Sequence, residues 1–228
     1  MPKYFVDKDL HLNEETEHHL KRVLRVRIGE IIILCDGKNY DYHMKVISVN
    51  PLKFELKNKI ECKTEANCRI TLYQALPKSD KLEWVIQKTV ELGVYKIVPV
   101  ITEHCDARIN CNKLSRYQKI AESAAGQSMR GIIPQVYTPV TFDEAIQASN
   151  ATSTMIAAHE KAELNLCRTD INLAKEIGIW IGPEGGFSQK EIKLMEERNF
   201  KIVSLGPRIL RTETAAIATL AIIQAVIE

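Results

Sequence analysis

Two short glycine-bearing loops near the end of the chain restrict its fold more than any other feature: Ile181-Gly-Pro-Glu-Gly-Gly-Phe187 and Leu205-Gly-Pro-Arg-Ile-Leu-Arg-Thr-Glu-Thr214. Each follows an apolar run of strand length, 177–181 and 200–205, and each leads into a helix-like segment beginning near Ser188 or Thr214. Strand, glycine loop, then helix is how a parallel α/β sheet opens a ligand crevice at its strand ends. Glycine lets the backbone approach a ligand closely, and proline stiffens the loop around it. Two such loops in succession point to one small molecule held mainly by backbone groups. The plain alternative is a pair of tight strand-to-helix turns.

The ligand class narrows by exclusion. Gly182, Gly185 and Gly186 do not make Gly-x-Gly-x-x-Gly, and no Gly-x-x-x-x-Gly-Lys-Ser/Thr occurs, so both dinucleotide and P-loop signatures are missing. Glu184 repels phosphate, and no lysine lies inside the loop to offset it. An adenosine-type ligand without phosphate fits better. The six cysteines, at 35, 62, 68, 105, 111 and 167, form no Cys-x-x-Cys, and there is no His-Glu-x-x-His, so no metal is expected. His104 beside Cys105 is not read as a nucleophile and its base, because sequence neighbours rarely have that geometry.

Upstream, the first 70 or so residues read as β-rich. Short strands are expected at 31–34, 42–49 and 53–59 after a helix at 14–26, and a small barrel or curled sheet is the simplest packing. From about 70 onward the pattern alternates: strand 70–76, helix with Ser79-Asp80 as cap, strand 95–101, helix 113–128, helix 142–148, strand 154–158. In the helix after Asp80, Leu82, Val85, Ile86, Thr89 and Val90 share one face, and Gly93 suits the position past its end. The boundary between the halves is expected near 65–72. The last helix, 214–227, is apolar on nearly all sides yet too short to cross a bilayer. Core burial and a homodimer interface account for it equally well. No stretch of about eighteen apolar residues exists, and charges occupy the N-terminus where a signal peptide needs an apolar run. A cytoplasmic protein with no membrane partner is expected. A net charge of +2 neither announces nor excludes a nucleic-acid binder.

The two loops resemble the paired C-terminal signatures of the RsmE family of SPOUT-class methyltransferases, which act on N3 of a uridine in 16S ribosomal RNA. The similarity extends to His19-Leu-Lys-Arg22-Val-Leu-Arg25 with Gly29, to Leu76-Pro-Lys78 with Lys88-Thr-Val-Glu91-Leu-Gly-Val94, and to Glu122, Gln127-Ser128, Arg130 and Ile133-Pro134. It covers essentially the whole chain. Two positions depart from the family: His104-Cys105 stands where an arginine-serine pair is frequent, and Gly126 where an acidic residue is usual. Both are expected to bear on RNA contacts more than on the cofactor loops.

The resemblance implies an α/β fold: a SPOUT-type parallel sheet with a C-terminal trefoil knot over residues 71–228, preceded by a small PUA-like RNA-binding β-barrel over residues 1–70. It implies S-adenosyl-L-methionine as cofactor, held by Ile181, Gly182, Pro183, Glu184, Gly185, Gly186, Leu205, Gly206, Leu210, Thr212 and Thr214. It implies 16S ribosomal RNA or an assembled small ribosomal subunit as partner, and a homodimer. Uracil N3 must lose its proton, so Arg211 and Glu213 are the catalytic candidates: the arginine to favour the uracil anion, the glutamate to accept the proton or orient the base. Glu213 reads equally well as a helix cap. N3 lies on the Watson–Crick edge, so the target must be unpaired or flipped out and the surrounding RNA held. Lys113, Arg116 and Lys119 recur every three residues, with Arg108 and Arg130 at either end of that region. His19, Arg22 and Arg25 offer a second basic site. Solvated charged faces are the commoner explanation of such groups. Competing readings are a SPOUT methyltransferase acting on another RNA or base atom and a non-catalytic ribosome-assembly factor.

Overall fold

The computed structural model describes residues 3–7, 9–105, 113–149, 154–168 and 175–227. The chain divides into two compact units: Met1–Glu65 with Glu122–Ile133, and Ala66–Ala121 with Pro134–Glu228. Sequence pattern predicts a single cut near 65–72. In the structure the first unit also takes back Glu122–Ile133, because polar groups far apart in sequence meet there. Arg130 donates to Glu65, whose carboxylate also accepts the Gly131 N–H at 2.9 Å, and Lys3 Nζ donates to the Met129 carbonyl at 2.9 Å.

The first unit holds a four-stranded sheet in the order β1-β2-β3-β4: β1 (Lys3–Phe5), β2 (Ile31–Cys35), β3 (Tyr40–Val49) and β4 (Leu52–Glu61). Between β1 and β2 lies helix α1 (Glu14–His18), capped by the Asn13 side chain on Thr16 N–H, which widens into a π turn over His19–Val23. The expected helix to residue 26 therefore ends early. Leu20 and Val26 are both buried in one core with Ile32, Leu34, Met44 and Val46. In a regular helix residues six apart face directions about 120° different. Left-handed Arg25, at φ 52°, turns the chain so that both reach the core.

In the second unit every strand pair is parallel. The order is β11-β9-β10-β5-β6-β7, with β8 also paired to β6. The strands are β5 (Arg69–Ala75), β6 (Lys96–Ile101), β7 (Gln135–Val136), β8 (Val140–Thr141), β9 (Thr154–Ala158), β10 (Glu176–Ile181) and β11 (Lys201–Val203). Helices α2 (Lys81–Glu91), α3 (Leu114–Gln127), α4 (Phe142–Ala148), α5 (Gln189–Glu197) and α6 (Thr212–Ile227) follow the alternation expected, and α3 ends inside the segment assigned to the first unit. From Ile177 to Ile181 β10 is wholly buried, as an interior parallel strand must be. Its Trp180 stacks on Tyr73 at 4.3 Å in a core with Phe142, Phe187 and Phe200. The chain runs outward from β5 to β7, then returns to place β9 and β10 on the other side. That reversal puts the ends of β9, β10 and β11 side by side, where open α/β sheets bind ligands.

Helix α2 buries Leu82, Val85, Ile86, Thr89 and Val90, the face the spacing predicts, and Gly93 follows it at φ +87°. Asp80 does not cap it through its side chain, because its carboxylate is taken by Lys113 Nζ at 2.7 Å. Helix α6 buries Thr212, Ala216, Thr219, Leu220, Ile223 and Gln224, and leaves Val226 exposed. Among the described residues no helix is long and apolar enough to cross a membrane.

Candidate functional site

The first glycine loop leaves β10 at Gly182. A Cβ there would lie 3.2 Å from the Phe187 nitrogen and 3.3 Å from Gly186, so any side chain would push the loop's own backbone outward by a few tenths of an ångström. Gly186 N–H donates to Pro183 O at 2.9 Å, and Gly186 itself has φ +69°. The turn then runs into α5, where Ser188 and Glu191 form a reciprocal capping box. The second loop leaves β11 at Ser204. Its Oγ accepts the Gly206 N–H at 3.2 Å, while Gly206 takes φ +112°. The loops are tied together at Thr212, the first residue of α6. Its hydroxyl donates to Gly182 O at 2.6 Å and accepts from buried Gln74 Nε2 at 2.9 Å.

Between the loops lies a cavity of about 410 Å³. Ile181, Gly182, Pro183, Glu184, Gly185, Gly186, Leu205, Gly206, Leu210, Arg211 and Thr212 all line it, as the sequence reading expects. Two of the expected residues do not. Thr214 is exposed in the first turn of α6. Glu213 lies against Lys81, with Oε2 3.6 Å from Nζ and that oxygen without a hydrogen-bond partner. Arg211 precedes the helix and Glu213 is inside it, so side chains only two residues apart diverge.

A third wall comes from Ala158, His159 and Glu160 at the end of β9, with the His159 N–H bound to Val203 O at 2.9 Å. Sequence reasoning placed the strand but not this wall. No glycine marks it, and only the neighbouring of β9 with β10 and β11 reveals it. Arg208, Ile209 and Ala215 complete the lining. A second hollow of about 380 Å³ adjoins the first and shares Glu160, Gly206, Arg208 and Ile209 with it.

The surroundings of the first loop differ from expectation in two respects. Glu184 does have a cation: Lys81 Nζ, from the start of α2, donates to its Oε1 at 2.9 Å. Burial opposes the charge of Glu184, but Lys81 and nearby backbone N–H groups outweigh it and hold the carboxyl below its usual range. His104 is a second correction. Its Nδ1 lies 3.1 Å from Gly185 O and 3.2 Å from Gly186 O, so this departure from the family falls on the glycine loop itself. The other departure, Gly126, has a steric reason. A Cβ there would come within 2.5 Å of the Lys3 carbonyl.

The basic candidates separate by burial. His19, Arg22 and Arg25 are exposed in the first unit, beside exposed Val23 and Leu24. Lys113 pairs with Asp80, just before α2, and Arg116 with Glu83 inside it, each at 2.7 Å; Arg116 and Lys119 are both exposed. Arg130 is only 3% exposed and is held by Glu65, so it braces its own loop instead of facing solvent. Arg108 lies outside the described residues.

Comparison with known proteins agrees with this architecture. Residues 64–224 match the RNA methyltransferase domain family, and residues 12–57 the RNA methyltransferase PUA domain family. Ribosomal RNA small subunit methyltransferase E of Buchnera aphidicola subsp. Acyrthosiphon pisum is 33% identical, over 98% of this chain and 93% of its own. The protein of that name from Neisseria gonorrhoeae, crystallised bound to S-adenosyl methionine, superimposes with a TM-score of 0.91 at 33% identity, covering 99% of this chain and 98% of that one. A putative methyltransferase from Legionella pneumophila in complex with SAM gives 0.89 at 31% identity, with the same coverage. Similar along its whole length in both sequence and fold, the chain belongs to the ribosomal RNA small subunit methyltransferase E family.

Proposed function

We propose that this chain is an S-adenosylmethionine-dependent ribosomal RNA methyltransferase that methylates N3 of a uridine in 16S ribosomal RNA. The observation that carries the reading is the cavity itself. It is walled by two glycine loops at parallel strand ends, and its backbone is placed where a Cβ at Gly182 would crowd the loop. Neither a P-loop nor a dinucleotide fingerprint is present in these loops, so the cradle suits a nucleoside moiety better than a polyphosphate. Relatives crystallised with S-adenosylmethionine support the cofactor.

When bound, the cofactor supplies an electrophilic methyl group on a sulfonium. The protein's part is then placement of the acceptor, which can supply much of the barrier lowering. Backbone groups of 181–186 and 205–212 hold the donor. Arg211, exposed at the cavity wall, favours the uracil anion as N3 loses its proton. Glu213 serves to hold Lys81, which in turn pairs with Glu184. RNA is held by exposed basic groups: Arg22 and Arg25 in the first unit, Lys119 and Arg208 in the second. A trefoil thread, which membership of this family implies, would be braced where Thr212 pins the start of α6 to both Gly182 and Gln74. A homodimer is supported by the apolar side chains of α6 that its own unit leaves partly uncovered, Ile217, Ile222 and Val226 among them.

Titration with S-adenosylmethionine by calorimetry, beside Gly185→Val, tests the cofactor reading. A Cβ at Gly185 would already meet His104 Cβ at 3.1 Å, so binding is expected in the wild type and lost in the variant. Incubation with small-subunit RNA lacking the modification, followed by nucleoside mass spectrometry, should yield 3-methyluridine. Methylation at another base atom would replace the N3 assignment. No methylation of naked RNA or of subunits would leave a binding factor.

A further inference from the structure

We propose that His104 is a positioning residue that latches the Gly185–Gly186 turn of the donor loop; this rests on the reading of that loop as the cofactor cradle. The imidazole Nδ1 is within hydrogen-bond distance of two carbonyls, Gly185 O at 3.1 Å and Gly186 O at 3.2 Å. Both partners can only accept, so Nδ1 carries the proton and donates. The His104 side chain also fills the side of Gly185 that a Cβ would occupy, its own Cβ 3.1 Å and its ring Cγ 3.5 Å from that position. Gly186 N–H is meanwhile fixed on Pro183 O at 2.9 Å. The peptide between Gly185 and Gly186 is therefore held at both its carbonyl and its N–H.

Consecutive glycines have more backbone freedom than any other pair, and a ligand that must order them binds more weakly. The latch removes that cost before the ligand arrives. It works because His104 is itself held. The Glu103 N–H donates to Glu191 Oε1 at 2.9 Å, and the other oxygen of this buried carboxylate takes the Ser188 N–H at 2.8 Å. Cys105 N–H closes a turn on Thr102 O at 3.1 Å. The turn after β6 and the start of α5 thus share one carboxylate, and the glycine turn sits between them. The two glycines whose carbonyls meet the imidazole are themselves part of the cavity wall.

The test compares His104→Ala, His104→Asn and His104→Gln in the full chain. Asparagine carries its amide N–H at the δ position, matching Nδ1, whereas glutamine carries it one atom farther out. Two readouts are needed: S-adenosylmethionine affinity by calorimetry, and hydrogen exchange of the loop amides without ligand. Alanine and glutamine should weaken binding roughly tenfold, as for loss of a hydrogen bond that pre-orders a loop, and speed exchange at Gly186. Asparagine should restore both to within about threefold. Wild-type affinity and exchange in His104→Ala would overturn the latch, as would rescue by glutamine and not asparagine. If the wild type binds no donor, the cofactor reading fails separately, and the exchange comparison still decides the latch.

Discussion

Thr212→Val changes one atom type at the point where the two loops join. The residue is 4% exposed, and valine has nearly the same shape, so packing is preserved. Two hydrogen bonds are lost: Thr212 Oγ1 to Gly182 O, and Gln74 Nε2 to Thr212 Oγ1. Gln74 is fully buried: its Nε2 keeps the Ala75 carbonyl at 2.9 Å but its second N–H loses its acceptor, and its Oε1 already lacks a partner. A buried polar group left unsatisfied costs about 1–3 kcal/mol. The Gly182 carbonyl borders the cavity and can find water, which reduces its share, so the pair should cost about 2–3 kcal/mol in total. Thr212→Ser keeps both bonds and loses one buried methyl, about 1 kcal/mol. Hydrophobic burial alone predicts the opposite order, with valine the better replacement. Both tryptophans, Trp84 and Trp180, belong to the second unit, so their emission follows its unfolding in urea without contribution from the first. Serine should unfold at a higher urea midpoint than valine with the same slope, and bind S-adenosylmethionine more tightly. If valine is as stable as serine, the hydroxyl is not what joins the loops.

The remaining predictions concern single charged or thiol groups. Glu191→Gln replaces one of two carboxylate oxygens that accept backbone N–H groups, from Glu103 and Ser188, and should cost about 1–3 kcal/mol by urea midpoint; a neutral result would remove the shared anchor. Arg130→Met strips the charge partner from Glu65 and should cost about 3–5 kcal/mol, seen as lost amide protection in the first unit, with partial recovery on adding Glu65→Gln. Burial pushes the Cys35 thiol up to about 12, so at pH 8 a thiol reagent should modify exposed Cys167 well before Cys35; equal rates would contradict the packing. Glu213→Gln should keep its single-turnover rate within about twofold at saturating donor, whereas a loss of about a hundredfold would make this carboxylate the proton acceptor.

What the sequence discloses here depends on how far away the deciding partner lies. The buried face of α2 is legible because Leu82, Val85, Ile86, Thr89 and Val90 are set by helical spacing alone. The glycine loops are legible for a similar reason: the positive φ of Gly186 and Gly206 is a local backbone demand, and glycine meets it. Charged side chains behave differently. Lys113, Arg116 and Arg130 read as solvent-facing cations, yet each meets a carboxylate at least 33 positions away: Asp80, Glu83 and Glu65. Lys81 finds Glu184 across 103 positions, and His104 reaches Gly185 across 81. His159 and Glu160 become walls of the cavity only because the sheet order sets β9 between β10 and β11. No window of sequence contains that order. A site made from backbone therefore announces itself in a motif, and a surface made from long charged side chains does not. By this logic the cavity between the glycine loops is the legible part of the chain. The RNA-facing surface must be mapped by measurement: the salt dependence of RNA binding should shallow in Arg22→Ala and in Lys119→Ala, whose side chains are exposed, and an unchanged slope in both would remove them from that surface.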